Sequence, residues 1–278
     1  MTECTQAFFV VSSGRSGTAM LHKALAASGH VEMHHEYMVH IAQPLAVRRY
    51  MGLIDSAQAR GIIAETHVAA VRYSDKPYWG DSSNKLAWLI PELADLLPEA
   101  KFVHLVRDGR KVASSYFHKL SNECYDDRST EILRAHTDDP RHISPPPPEK
   151  KYWWPLPSSG NPIADAFRRF DQFQRIAWHW SEINSVILEA LAQLAPHRHL
   201  FVRLEDLRGS REVVRELYEF LNLPFREEYF AMFAKPHNVN RPKDALLDAA
   251  QRAQFDAIAG AMMERLGYSS REEYVVNY

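Results

Sequence analysis

Three short segments of the chain are apolar at almost every position: "FFVV" at 8–11, "KFVHLV" at 101–106 and "HLFVRL" at 199–204. Each is rich in β-branched or aromatic residues and leads into a helical pattern, which predicts buried parallel strands. Between them the apolar period lengthens. Leu21, Ala24 and Leu25 recur at helical spacing before Gly29, and Leu86, Leu89, Leu93 and Leu96 do so before Pro98. Phe167, Phe170, Ile176, Trp180, Ile183, Ile187 and Leu191 predict a long helix over 163–195, and Val213, Val214, Leu217, Phe220 and Leu221 another over 211–222. Strands separated by helices imply right-handed crossovers and an α/β three-layer sandwich around a central parallel sheet.

The segment from about 121 to 162 breaks this alternation. Its "SPPPPEKKYWWPLPSSGNP" carries prolines that forbid a regular helix or a central strand. A single domain over 1–278 with a Pro-rich insertion or lid at 121–162 is expected, and Tyr152, Trp153 and Trp154 favour a lid that packs on something.

Composition narrows the function. The 278 residues are 46% hydrophobic, enough for one large core, and the formal net charge of -2 excludes a broadly basic nucleic-acid surface, so any anion site is local. Two cysteines, Cys4 and Cys124, are too few for a disulfide framework or a thiolate metal site. The opening "MTECTQAFFVVSSG" has no secretory-signal pattern and no apolar run approaches the length of a membrane span, so a cytoplasmic protein without a transmembrane segment is expected.

The local anion site is written at the end of the first strand. In "FFVVSSGRSGTAML" a strand passes through a short glycine-containing loop into a helix, the P-loop-like arrangement that turns backbone N–H groups and a helix dipole toward an anion. Gly14 and Gly17 allow close approach. A nucleotide hydrolase would place a lysine before a metal-binding hydroxyl; here Gly17 is followed by Thr18, and the charge sits earlier at Arg15. The strand that would supply a metal-binding acid ends instead in Arg107-Asp108, so a donor bound without metal is expected. "HEYMVH" has one residue too many for a zinc helix, and His34, His35 and His40 are not read as ligands.

These residues resemble the PAPS-dependent sulfotransferases. "SSGRSGTAML" is similar to their 5'-phosphosulfate loop, and "FVHLVRDGRKVASSYF" to their 3'-phosphate motif. "LFVRLEDLRGSREVVRELYEFLNLP", "NVNRP" and "MMERLGY" resemble later parts of the family, so the likeness runs from about Ala7 to Tyr268 and leaves the insertion unmatched. The resemblance implies transfer of a sulfuryl group from PAPS (3'-phosphoadenosine 5'-phosphosulfate) to a hydroxyl of a carbohydrate, lipid, phenol or peptide, with PAP (3'-phosphoadenosine 5'-phosphate) as product. It assigns Ser13, Gly14, Arg15, Ser16, Gly17, Thr18 and Ala19 to the 5'-phosphosulfate, and Arg107 and Ser115 to the 3'-phosphate. Arg241 is a further candidate for the 3'-phosphate or adenine. Two anion pockets at neighbouring strand ends are what a ribose phosphorylated on both sides requires.

The acceptor hydroxyl must lose a proton, so a base belongs just beyond the first helix, where "VEMHHEYMVH" lies. Distance from the cradle puts Glu36 at the family's glutamate position; His35, closer in pKa to the working pH, is the second candidate. A family lysine that steadies the bridging oxygen has no residue in register. Ser82 or Ser83 occupies its place in "WGDSSNKL", with Lys85 nearby, and helix capping alone would also account for the serines. Tyr152, Trp153 and Trp154 are the expected acceptor contacts, whereas Trp178 and Trp180 are expected in the core. The alternatives are a magnesium-dependent P-loop kinase and a catalytically silent nucleotide-binding protein.

Overall fold

The structure is a computed structural model and describes residues 5–158, 160–234 and 246–272. The elements run β1 (Gln6–Val11), α1 (Thr18–Ala26), β2 (Val31–His35), α2 (Val39–Tyr50), α3 (Ser56–Ile63), α4 (Ala69–Tyr73), β3 (Tyr78–Ser82), α5 (Ile90–Leu96) and β4 (Lys101–Val106). They continue with α6 (Gly109–Lys119), α7 (Asp127–Asp138), α8 (Ala164–Phe167), α9 (Gln172–Leu191), β5 (His199–Arg203), α10 (Leu204–Gly209), α11 (Arg211–Phe220), α12 (Glu227–Ala234) and α13 (Ala249–Arg265). The chain divides into two compact units, one of residues 5–38, 56–107 and 186–234, the other of residues 39–55, 108–158, 160–185 and 246–272.

The first unit holds a five-stranded, wholly parallel sheet in the order β2-β3-β1-β4-β5. Alternation along each strand sorts its side chains between two faces. Phe8, Val10, Val103, Leu105 and Val202 face α1, α11 and α12, packing with Leu21, Leu25, Val214, Leu217, Tyr218 and Phe233 in one core. Phe9 takes the other face, where its ring meets Trp79 and Phe102 at 6.0 and 5.6 Å. On that face Trp79 also meets His67, which sits in the wide π-helical turn Ala64–Val68 joining α3 to α4. Helices thus flank a parallel sheet, as the alternating pattern implies.

The three strands predicted from apolar runs are β1, β4 and β5. Two more, β2 and β3, fall in stretches whose composition hides them. β2 is an edge strand, "VEMHH", in which only Val31 is fully buried. β3 is "YWGDS", with a glycine and an aspartate in its middle. Gly80 is required there because a Cβ would stand 2.4 Å from the Phe8 ring and 2.7 Å from Met33 Sδ.

In the second unit the helix predicted over 163–195 is two helices. Asp171 and Gln174 exchange side-chain and backbone hydrogen bonds at 2.8 and 3.0 Å, a reciprocal cap that starts α9 afresh and separates it from α8. The 121–162 segment is not wholly irregular either: Asp126 caps α7 by accepting from the Ser129 N–H at 2.9 Å. Trp178 and Trp180 are buried, as expected. Among the described residues, no helix is long and apolar enough to cross a membrane.

Candidate active site

The carboxyl ends of β2, β3, β1 and β4 lie side by side, and residues leaving them make the site. Register places His35 opposite Ser82 and Val10 opposite both Ser82 and Val103. The loop after β1, the turn after β2, the β3 end and Arg107 therefore share one sheet edge, the position where parallel α/β sheets bind ligands.

Leaving β1, the loop folds on its own hydroxyls. Ser12 Oγ accepts the Gly14 N–H at 3.0 Å, Ser16 Oγ donates to the Gly14 carbonyl at 3.0 Å, and the Ser13 and Ser16 hydroxyls lie 3.1 Å apart. Gly14, Arg15 and Gly17 all have left-handed backbone, with φ of 78°, 53° and 93°. For Arg15 that conformation is unfavourable and marks a constrained loop. Gly17 meets a second demand, because a Cβ there would stand 2.6 Å from Leu204 Cδ1. It opens α1, whose first turn has no side-chain cap and no acidic residue, so the positive end of the helix dipole is uncancelled by the helix's own side chains. Thr18 and Ala19 begin that helix.

Arg107, the residue after β4, turns toward this loop: its Nη1 donates to the Arg15 carbonyl at 3.0 Å. The contact holds the guanidinium beside the glycine turn. Ser115 lies eight residues on, in α6 of the second unit, and Asp108 caps that helix through the Arg110 N–H at 2.9 Å while pairing with the Arg110 side chain at 2.7 Å.

Beyond β2 the chain turns sharply. Glu36 and Met38 have φ of 58° and 46°, a second left-handed, non-glycine turn beside the first. The Glu36 N–H bonds to the Ser82 carbonyl at 3.2 Å, and its carboxylate Oε1 faces Lys85 Nζ at 3.8 Å. Lys85 is buried and close to the glutamate, so the cation that the sequence places out of register reaches the site edge. His35 Nδ1 donates to the Ser82 carbonyl at 2.9 Å, which leaves the lone pair on Nε2, with Ser82 Oγ 3.0 Å from the same nitrogen. His22, from α1, has its ring 5.9 Å from that of His35; burial first, and the two neighbouring imidazoles after it, hold its pKa below the ordinary value. Ser83 Oγ accepts the Lys85 N–H at 3.3 Å, while the residue that opens the following 3-10 helix is Asn84, with no side-chain cap bond.

Beneath this turn lies a group that the sequence gives little reason to notice. Asp81, in β3, is fully buried, and its two carboxyl oxygens accept the Tyr37 N–H at 3.2 and 3.3 Å. Its pKa is pushed up to about 7, chiefly by burial, with the Glu36 charge adding to the rise. His67 Nε2 faces Asp81 at 3.9 Å, and burial pushes its pKa down to about 4.

Not every expected residue is brought to this edge. Trp153 and Trp154 are core residues of the second unit, 1% and 7% exposed. Their indole N–H groups bond to the Pro147 carbonyl at 2.8 Å and the Glu123 carbonyl at 2.6 Å, and Trp154 packs against Tyr116, Tyr125 and His179. Rings so enclosed have no surface to offer an acceptor, which corrects the expectation for both; Tyr152 remains half-exposed. Arg241 lies outside the described residues. Among the described residues no cluster of His, Cys, Asp and Glu has the arrangement of a metal site.

Comparison with known proteins adds an independent finding. Residues 7–142 match the model of the Sulfotransferase family, reaching into the segment that the motif resemblance leaves unmatched. No curated protein sequence matches the chain. Among solved structures it is similar to the sulfotransferase domain from the curacin biosynthetic pathway (15% identity, 96% of this chain and 99% of that one, TM-score 0.52). It is also similar to a sulfotransferase from Alicyclobacillus acidocaldarius (15%, 97% and 97%, TM-score 0.51) and to sulfotransferase STF9 from Mycobacterium avium (11%, 94% and 77%, TM-score 0.50). At these identities the likeness is one of fold, the parallel α/β sheet with flanking helices.

Proposed function

We propose that the protein is a sulfotransferase that transfers a sulfuryl group from PAPS to the hydroxyl of a small-molecule or glycan acceptor, a reading supported by the match of residues 7–142 to the sulfotransferase family model. The observation that carries this reading is the 3.0 Å bond from Arg107 to the Arg15 carbonyl, which joins two cationic elements from neighbouring strand ends. The donor set suits an anionic nucleotide: two guanidinium groups, the hydroxyls of Ser13, Ser16 and Thr18, and the N–H groups of an uncapped helix start. When bound, PAPS supplies the sulfuryl group: the acceptor oxygen bonds to sulfur as the bond to the bridging phosphate oxygen breaks, and PAP leaves.

In this reading Gly14, Arg15, Ser16, Gly17, Thr18 and Ala19 hold the 5'-phosphosulfate, and Arg107 with Ser115 holds the 3'-phosphate. Glu36 takes the acceptor's proton; His35, with its Nε2 lone pair, is the second candidate. Lys85 Nζ lies 3.8 Å from the Glu36 carboxylate, and the Ser82 hydroxyl lies 3.0 Å from His35 Nδ1. Lys85 supports an active enzyme over a silent nucleotide binder. The two units are read as one domain, because the chain passes between them five times and neither is a continuous segment. The scarcity of cysteine fits a cytoplasmic setting.

Labelled PAPS tests the proposal. Transfer of label to one of a panel of sugar, lipid, phenol and peptide hydroxyls is expected, without added divalent metal. PAP binding with no transfer to any acceptor would favour the silent binder, and metal-dependent transfer from ATP would favour the kinase.

A further inference from the structure

Glu36 occupies a backbone conformation that a glutamate does not choose unaided, and something must hold it there. Its neighbours supply little locally: Glu36 and Met38 are both left-handed, which for residues with a Cβ is unfavourable at each position. Tyr37, between them, is held twice. Its N–H is bound by both oxygens of Asp81, and its ring is clamped by His34 at 4.8 Å, His67 at 5.4 Å and Trp79 at 5.4 Å. Asp81 is in turn fixed in the sheet, opposite Phe9 on one side and His34 on the other.

We infer that Asp81 is a positioning residue for the reaction, holding the Glu36–Tyr37 turn from beneath so that the Glu36 carboxylate is presented at the sheet edge. The inference rests on the reading of Glu36 as the base. Asp81 itself is sealed from the acceptor, so it acts through the Tyr37 amide and not by touching a reacting atom.

The surroundings of Asp81 suit a neutral carboxyl group. The Thr66 hydroxyl donates to the Ile62 carbonyl at 2.8 Å and lies 3.1 Å from His67 Nδ1, so it accepts that nitrogen's proton. The lone pair of His67 is then on Nε2, the atom that faces Asp81 Oδ2 at 3.9 Å. At that distance the two groups face each other without a hydrogen bond, and both carboxyl oxygens of Asp81 are left to the Tyr37 N–H. The upward shift of Asp81 agrees with this arrangement. An asparagine keeps a carbonyl for the Tyr37 N–H in the same place, whereas an alanine removes it.

The test compares Asp81→Ala, Asp81→Asn, Glu36→Gln and the double variant Asp81→Ala/Glu36→Gln in the full chain, reading PAPS turnover and Tyr37 amide exchange by NMR. Asp81→Ala is expected to lower kcat about 10²-fold at unchanged KM for PAPS, the scale of a displaced catalytic group, and to lose Tyr37 protection. Asp81→Asn is expected to restore both, to within about tenfold of wild type for kcat, a rescue that the loss of a packed side chain would not give. The double variant should be no slower than Glu36→Gln, since both changes remove the same function. An inactive Glu36→Gln beside a fully active Asp81→Ala overturns this inference alone; a fully active Glu36→Gln overturns the base assignment and the positioning role with it. If Asp81→Ala does not fold, Asp81→Asn decides: retained kcat and Tyr37 protection support the role, and loss of either contradicts it.

Discussion

Two tight turns at the same sheet edge, the loop after β1 and the turn after β2, reach the same backbone state by different means. Each forces a charged residue into left-handed conformation, Arg15 at φ 53° and Glu36 at φ 58°. The first is stabilised largely from within, by hydroxyls of Ser12 and Ser16 bonded to Gly14 and by two glycines free to adopt positive φ, with Arg107 adding one bond to the Arg15 carbonyl from the end of β4. The second is stabilised from a different strand, by Asp81, which is 44 residues away in sequence from the amide it binds. The fold of an anion loop can thus be encoded mostly by consecutive residues, while the base turn beside it depends on a neighbouring strand being in place.

The largest expected effect falls on the base turn. Glu36→Gln should lower kcat by about 10²–10⁴-fold, the usual worth of a positioned proton acceptor, with PAP affinity unchanged because the cradle does not depend on it. Equal turnover would transfer the role to His35, whose Nδ1 is already committed to Ser82.

Next comes the cradle. Gly17→Ala places a Cβ at φ 93° and 2.6 Å from Leu204 Cδ1, and should lower thermal stability by about 1–2 kcal/mol from the backbone alone while weakening PAP binding. A variant as stable as wild type would show that the loop has an alternative path and is not fixed by its glycine.

A third effect, on the pH dependence of stability and not on turnover, concerns the protons under the base turn. In the unfolded chain Asp81 titrates at 3.8 and His67 at 6.5; in the folded protein burial moves them to about 7 and about 4. Between pH 4 and 6.5 both states hold one proton on the pair, on His67 when unfolded and on Asp81 when folded. Stability therefore gains no net pH dependence from the pair in that window. Removing one partner exposes the other. In His67→Phe the folded state holds the extra proton, so stability should fall as pH rises from 3.8 to about 7. In Asp81→Asn the unfolded state holds it, so stability should rise with pH from about 4 to 6.5. Either slope is at most about 1.4 kcal/mol per pH unit, with Glu36 and His34 the other charged groups that act on the pair. Denaturant unfolding across pH measures both, and two variants with wild-type profiles would refute the shared-proton arrangement.

The same contrast explains which parts of the molecule can be read in its sequence. β1, β4 and β5 are legible because each is a continuous apolar run, and the cradle because its glycines and hydroxyls are consecutive. β3 is not, since Gly80 is there to admit the Phe8 ring and Asp81 to bind an amide, and both residue types read locally as turn. Asp81 is consequently missed, although a buried acid between an apolar Trp79 and two serines is the kind of local inconsistency that marks functional strands. Trp153 and Trp154 err in the other direction: aromatics among prolines suggest a binding surface, but their indole N–H groups find carbonyl partners, and burial becomes the better use of so much apolar area.

The central claim is that one ligand is gripped by both the loop after β1 and Arg107, and calorimetric titration of PAP against AMP, which lacks the 3'-phosphate, tests it most directly. Wild type should bind PAP about 10–10²-fold more tightly than AMP, the worth of a charge-assisted contact, and Arg107→Ala should erase that preference while leaving AMP affinity and the unfolding temperature in place. Equal affinity of wild type for the two nucleotides, or a preference that survives in Arg107→Ala, would contradict the account.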